Sequence, residues 1–337
     1  MRHGARPRGA GPIQKQEHIM QKRPLGKTGL QVAPLVFGGN VFGWTIDEQT
    51  SFKVLDTFVD HGFDTIDTAD CYSAWAPGNM GGESETVIGN WLKARPGMRD
   101  RVKIFTKVGS VTGGPHEGGL TEAYILNAVE KSLSRLGVES IDLYFAHWPD
   151  PLGTPYAETL GAFQKLTQAG KVKAIGVSNV DADQLSQSLE VARTGNLPAY
   201  QVLQPEYNLY DRARFEGPLQ DLCRAEGLGV VTYFSLASGF LSGKYRGTED
   251  LGKSKRGGAV QKYMTPRGEK VLAALDRVAD RHGATCAEVA LAWLMAAPGV
   301  TAPIASATNP DQVANFARAA ALQLTPEDIA TLDETRA

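Results

Sequence analysis

The chain has 337 residues, 42% hydrophobic and 21% charged, which supplies a large core and fits one large domain or two ordinary ones. Lys and Arg number 35 against 37 Asp and Glu, a net charge of −2. So even a balance offers no bulk attraction to nucleic acid or to an anionic membrane surface, and function must be sought in a site. The three cysteines, Cys71, Cys223 and Cys286, are widely spaced and form no CxxC or Cys/His pattern. This usage suggests a reducing, cytoplasmic compartment and no structural zinc or other metal. No apolar run approaches the roughly 18 residues of a membrane span.

In chain order, "MRHGARPRGAGPIQKQEHI" is basic and rich in Gly and Pro but lacks the apolar segment of a secretory signal. Residues 1–20 are therefore expected to be a disordered leader, with Met20 an alternative start and 21–337 the folded domain. Next, "PLGKTGLQVAP" contains a GKT at 26–28, but Gln21 stands where a phosphate-binding loop needs glycine. It reads instead as a hairpin plugging the bottom of a barrel.

Eight short β-branched runs follow, at 35–38, 63–69, 103–108, 141–148, 172–179, 199–208, 228–235 and 301–308, alternating with longer amphipathic segments. That alternation predicts a parallel sheet wrapped by helices. After the first run "FGGNVFG" lacks the GxGxxG spacing of a dinucleotide-binding open sheet. With no break in composition, a single-domain (β/α)8 barrel fits best. Two extra helices are expected at about 266–281 and 285–297, before the eighth strand. Ahead of them "GKYRGTEDLGKSKRGG" has no apolar periodicity and reads as a long mobile loop, a candidate lid. Asn309 with Pro310, and Thr325 with Pro326, mark the starts of the last helices. Glu83 and Glu85 open another, where first-turn acids suit the helix dipole; a structural role is expected of them.

Barrel active sites lie at the carboxyl ends of the strands. Strand alternation groups Phe63, Thr65 and Asp67; Phe105 and Lys107; and Ile141, Leu143, Phe145 and His147, so that each set ends in a polar residue. Ser178, Asn179, Gln204, Tyr233 and Ser235 close the next runs. Singly, an Asp67–Lys107 ion pair or a satisfied core His147 would be structural. Together they form a convergent rim, because such groups are costly to bury without partners. A tyrosine beside an ammonium should have a lowered pKa. Lys107, held by Asp67, would thereby make Tyr72 a general acid for a developing alkoxide, and His147 would polarise the carbonyl.

These segments resemble the aldo-keto reductase superfamily. "DTIDTADCY" carries the family's Asp and Tyr at its five-residue separation, "IFTKVG" the lysine strand and "LYFAHWPD" the histidine strand, while "IGVSNV" and "QPEYNL" are similar to the nicotinamide-contacting segments. The resemblance extends over about residues 22 to 335 and points to the longer-loop, bacterial-type branch related to aryl-alcohol dehydrogenases and channel beta-subunit-like members. It implies reversible reduction of an aldehyde or ketone with NADP(H) or NAD(H), and Asp67, Tyr72, Lys107 and His147 as the catalytic tetrad. It also implies cofactor contacts from Gly38, Gly39, Asn40, Asp67, Ser178, Asn179, Gln204 and Tyr233. The phosphate strap would be Ser235, Leu236, Ser238, Gly239, Leu241 and Lys244, and the adenosine end Ser306, Thr308, Gln312 and Asn315.

Where many members hold the 2′-phosphate with a lysine and an arginine, this chain has Ser306 and Gln312. NADP(H) is favoured on family habit and NAD(H) stays open, as does a capping role for Gln312. Trp75 and Met80 either line the substrate mouth or belong to a loop packed on itself. Trp148 either walls a bulky ketone or faces the helical shell. Two other readings stand beside the enzyme: a cofactor-holding binding subunit, and a barrel using Asp67 and Asp70 as hydrolytic carboxylates, disfavoured because residues three apart on a strand face opposite ways. No heptad or apolar stripe indicates an oligomer.

Overall fold

The computed structural model describes residues 20–110 and 119–336. The expected leader, Met20 apart, lies outside the described residues. Arg23–Pro24 (β1) pairs antiparallel with Gln31–Val32 (β2), and Leu25 and Val32, both fully buried, join the cluster inside the barrel. Gly26 is needed at the hairpin turn: its φ is +52°, and a Cβ there would stand 2.2 Å from the backbone N of Gly229. The hairpin is thus the expected plug, pressed against the start of a barrel strand.

The barrel strands are β3 (Val36–Gly38), β4 (Thr65–Asp67), β5 (Lys103–Val108), β6 (Ile141–Ala146), β7 (Val172–Ser178), β8 (Val202–Gln204), β9 (Gly229–Thr232) and β10 (Ala302–Ala305). They close as β10-β3-β4-β5-β6-β7-β8-β9, every neighbouring pair parallel. All eight expected runs contain a strand, most of them shorter than the run. Phe105, Leu143, Phe145, Val202 and Val231 fill the interior. Two residues depart from the expected alternation. Phe63 precedes β4 and stacks outside on Phe58, 4.8 Å between ring centroids, and Ile141 packs in the outer core.

Helices α1 (Glu48–Asp60), α2 (Glu83–Ala94), α3 (Met98–Arg101), α4 (Glu122–Leu136), α5 (Tyr156–Gln168), α6 (Ala182–Thr194) and α7 (Pro218–Glu226) lie between successive strands. Their apolar faces and the outward-facing strand residues form one continuous outer core. After β9 come α8 (Gly257–Val260), α9 (Pro266–His282) and α10 (Cys286–Ala296), the last two at the expected positions. Finally α11 (Pro310–Ala321) is capped by Asn309 and α12 (Pro326–Asp333) by a Thr325–Asp328 capping box.

The segment 243–258 differs from an irregular loop. It contains 3-10 turns over Thr248–Lys253 and the start of α8. Polar anchors hold it, chiefly Arg246 on Asp276 by two hydrogen bonds of 2.7 Å and Tyr245 with Ser254 at 2.6 Å. Hydrogen bonds in place of an apolar face explain why it shows no hydrophobic period. Among the described residues, no helix is long and apolar enough to cross a membrane.

Candidate active site

Parallel closure brings the ends of β4, β5 and β6 side by side, with Lys107 opposite Phe145 in the register. The Lys107 ammonium, wholly buried, donates to Asp67 Oδ2 at 2.7 Å, to the Thr68 carbonyl at 2.6 Å and to the Tyr72 hydroxyl at 3.0 Å. Those are all the hydrogen bonds an ammonium can make. Tyr72 reaches the lysine because the chain turns at residues 69–74 after β4, with Tyr72 N donating to the Ala69 carbonyl. Its ring meets that of His147 edge-on, 5.9 Å between centroids.

Burial pushes the Asp67 carboxyl upward, against the pull of the Lys107 charge and hydrogen bonds from Lys107 and Gln204. Tyr72 departs from expectation. Its hydroxyl lies well above the ordinary tyrosine value, from burial first and then the charge of Asp67. The expected lowering assumed an unopposed ammonium, whereas Asp67 neutralises Lys107 at contact distance. The raised value keeps Tyr72 a protonated hydroxyl in the free protein.

A second set of bonds continues round the rim. Gln204 Nε2 donates to Asp67 Oδ1 at 2.9 Å, so this residue positions the aspartate as well as facing the cavity. Asn179, in a left-handed conformation at φ +62°, donates to the His147 carbonyl at 2.8 Å and accepts from the Tyr233 hydroxyl at 2.6 Å. Ser178 donates to the Gln204 carbonyl at 2.7 Å. Cys71 Sγ lies 3.7 Å from His147 Nδ1. Neighbouring Asp70 is raised to about 7 by burial and then by the charge of Glu85.

The rim opens into a cavity of about 820 Å3. Of the residues predicted to contact cofactor, Gly38, Asn40, Asp67, Ser178, Asn179, Gln204, Tyr233, Ser235, Leu236, Ser238, Gly239, Lys244, Ser306, Thr308, Gln312 and Asn315 line it. Gly39 and Leu241 do not: Gly39 packs against Asp67 and Ser84, and Leu241 is fully buried in the outer core. Trp75 and Trp148 face the cavity, whereas Met80 is 72% exposed and borders a separate cavity of about 150 Å3 together with Asp70. Gln312 accepts from the Thr308 backbone N–H at 2.8 Å, one residue before the cap it was expected to reach, and still borders the cavity. Glu83 accepts from the N–H groups of Met80 and Gly81, and Glu85 from Thr106 and Arg135, which are structural roles.

Sequence reasoning missed Arg256. Half-buried in the segment read as a lid, it donates to Asn40 Oδ1 at 3.2 Å, and Ser306 donates to the same oxygen at 2.8 Å. Its guanidinium also lies 5.4 Å from the Trp44 ring centre, and burial lowers its pKa. Arg214, Lys244, Lys255 and Lys262 line the same cavity, where the acids among the described residues are Glu206 and the already paired Asp67. A cation-rich cavity with left-handed backbone at Ala237, Ser238 and Gly239 fits a polyanionic dinucleotide.

A model of the aldo/keto reductase family matches residues 34–337. The chain belongs to that family. Among similar proteins is the putative voltage-gated potassium channel subunit beta of Schizosaccharomyces pombe, 33% identical over 331 residues, covering 93% of this chain and 92% of that protein. The uncharacterized oxidoreductase YrpG of Bacillus subtilis is 32% identical over 321 residues, covering 94% and 95%. Protein tas of Escherichia coli is 30% identical over 342 residues, covering 93% and 97%. Family membership supports an oxidoreductase, and the family generally uses nicotinamide cofactors and small carbonyl substrates.

Proposed function

We propose that this protein reversibly reduces an aldehyde or ketone to an alcohol with NADP(H), using Asp67, Tyr72, Lys107 and His147. The observation that carries the reading is one buried ammonium held 2.7 Å from a carboxylate and 3.0 Å from a phenol, at the floor of a cation-lined cavity. A bound nicotinamide dinucleotide supplies the hydride. Tyr72 donates its proton to the carbonyl oxygen as negative charge develops there, and Lys107 stabilises the phenolate left behind. His147 orients and polarises the carbonyl. Gln204 and Asp67 hold the ammonium in register with the phenol.

Gly38, Asn40, Ser178, Asn179, Gln204 and Tyr233 would hold the nicotinamide end, and Ser235, Leu236, Ser238, Gly239 and Lys244 the pyrophosphate. Ser306, Thr308, Gln312 and Asn315 would hold the adenosine. Five cationic side chains along the cavity outnumber the charges of a pyrophosphate, which favours a cofactor with a further phosphate over NAD(H). Arg256 supplies a guanidinium near Ser306 through the shared Asn40 Oδ1, whereas residues 306–315 contain no Lys or Arg. Trp75 and Trp148 give the mouth an apolar wall suited to a bulky carbonyl compound.

The test is fluorescence titration with NADPH and NADH, followed by 4-nitrobenzaldehyde and a wider ketone panel while absorbance of the reduced nicotinamide is followed. Oxidation, with NADPH preferred, is expected. The relatives named as channel beta subunits favour a second reading, a cofactor-holding binding subunit. Tight cofactor binding without oxidation across the panel would replace the first reading with the second.

A further inference from the structure

The turn after β4 brings two more donor groups to His147. Besides the 3.7 Å contact of Cys71 Sγ with His147 Nδ1, a ligand atom from each of Asp70, Cys71 and His147 lies within 4.8 Å of the other two. A thiolate sulfur and an imidazole nitrogen sharing one tetrahedral Zn2+ at about 2.3 and 2.0 Å stand about 3.5 Å apart. The sulfur–nitrogen edge already has nearly the length that a metal would impose. Independently, Asp70 Oδ1 is enclosed and makes no hydrogen bond, a cost of about 1–3 kcal/mol for a buried polar atom, which a cation would offset.

Charge and access agree with this geometry. A carboxylate and a thiolate neutralise a dication, and the nearby Lys107 is already neutralised by Asp67 at 2.7 Å. Cys71 and His147 border the large cavity and Asp70 the small one, so the three donors stand between two openings. Sequence spacing carried no metal signal, because Asp70 and Cys71 are adjacent while His147 lies 76 residues beyond Cys71.

We propose that Asp70, Cys71 and His147 form a binding site for one thiophilic divalent cation of the Zn2+ class, with solvent in the fourth position. Ligation releases the Cys71 thiol proton to solvent and leaves the oxidation state of the metal unchanged. It takes up Nδ1 of the imidazole, the nitrogen nearest the Cys71 sulfur. The site goes beyond the reductase reading and does not need it.

The experiment is titration of the untagged full chain with Co2+, followed by near-ultraviolet and visible absorption. One Co2+ per chain is expected, with a thiolate-to-cobalt charge-transfer band that Zn2+ abolishes by displacement. Cys71→Ser should remove the band, Asp70→Asn should weaken affinity by roughly 10-fold or more, and Cys223→Ser and Cys286→Ser should leave both unchanged. Thermal melts show that each variant is folded before it is compared. No thiolate band in the native chain, a band that survives Cys71→Ser, or unaltered affinity in Asp70→Asn would overturn the proposal. Because the readout is spectroscopic, a protein that binds Co2+ but reduces no carbonyl keeps this site while failing the reductase reading.

Discussion

Asp64 and Asp67 flank one short strand, are equally hidden from solvent, and have opposite electrostatic fates. At the bottom of the barrel, Asp64 accepts from Lys22 at 2.9 Å, Lys103 at 2.8 Å and the backbone N–H of Ala33 at 3.1 Å. Burial alone would raise its carboxyl, but these partners bring it below the usual aspartate value. Nearby Asp142 likewise has two cations, Arg99 at 2.9 Å and Lys173 at 2.8 Å. At the rim, Asp67 has one ammonium and shares it with Tyr72 and the Thr68 carbonyl, and its carboxyl is raised. The bottom has cations to spare and uses them for stability. The rim makes one cation serve an acid and a phenol, the arrangement on which the proposed proton donation by Tyr72 rests.

The comparison breaks most readily at Tyr72. Tyr72→Phe should lower turnover by roughly 10² to 10⁴ while leaving cofactor affinity nearly intact; steady-state rates with a fluorescence titration check this, and equal turnover would remove Tyr72 from the role. Lys107→Met should impair both stability and turnover, because the Asp67 carboxylate then keeps the Gln204 hydrogen bond but is buried without a counter-charge. A stability loss of about 3–5 kcal/mol by urea unfolding is expected with the loss of turnover.

Asp64→Asn should do the reverse, lowering stability by about 1–3 kcal/mol with turnover unchanged. Since the folded-state pKa of Asp64 is depressed, its contribution is present above the unfolded value near 4 and fades as pH falls through the folded one. The variant should therefore approach the native chain in stability on the acid side, and a gap that persists there would exclude the ion pairs as its cause.

The smallest effect lies away from both ends, at Asp328. Burial would raise this carboxyl, but hydrogen bonds from His282 and Thr325 bring it down to about 2. Asp328→Asn should cost about 1–2 kcal/mol at neutral pH, a difference that disappears between about pH 4 and pH 2. Urea midpoints across that range measure it.

Much of this was legible in the chain itself. The eight β-branched runs announced the eight strands because strands of a closed parallel barrel are buried on both faces and are largely apolar, their charged residues confined to the ends. Asn309–Pro310 and Thr325–Pro326 marked helix starts because caps are local chemistry. Asp67, Lys107 and His147 could be placed at one rim because strand ends share one side of such a barrel. Arg256 could not, since it lies in a segment held by hydrogen bonds to distant residues, which leave no periodic trace. Phe63 was assigned to the wrong face because it lies before β4, where strand pairing has not begun, while Ile141, paired with Val172 at the start of β6, packs with the outer core.

By itself the sequence determined the barrel, the order of its strands and helices, and the four residue types at its rim, all of which follow from local patterns of burial, capping and spacing. Only the tertiary structure decided what those residues are electrostatically. The pKa of Tyr72 depends on its burial and on the charge of Asp67 beside it, the cavity's positive charge on Arg256 folding back to Asn40, and the donor set of Asp70, Cys71 and His147 on two strand ends meeting. Each is a through-space interaction, whose energy depends on distance and enclosure and not on position along the chain.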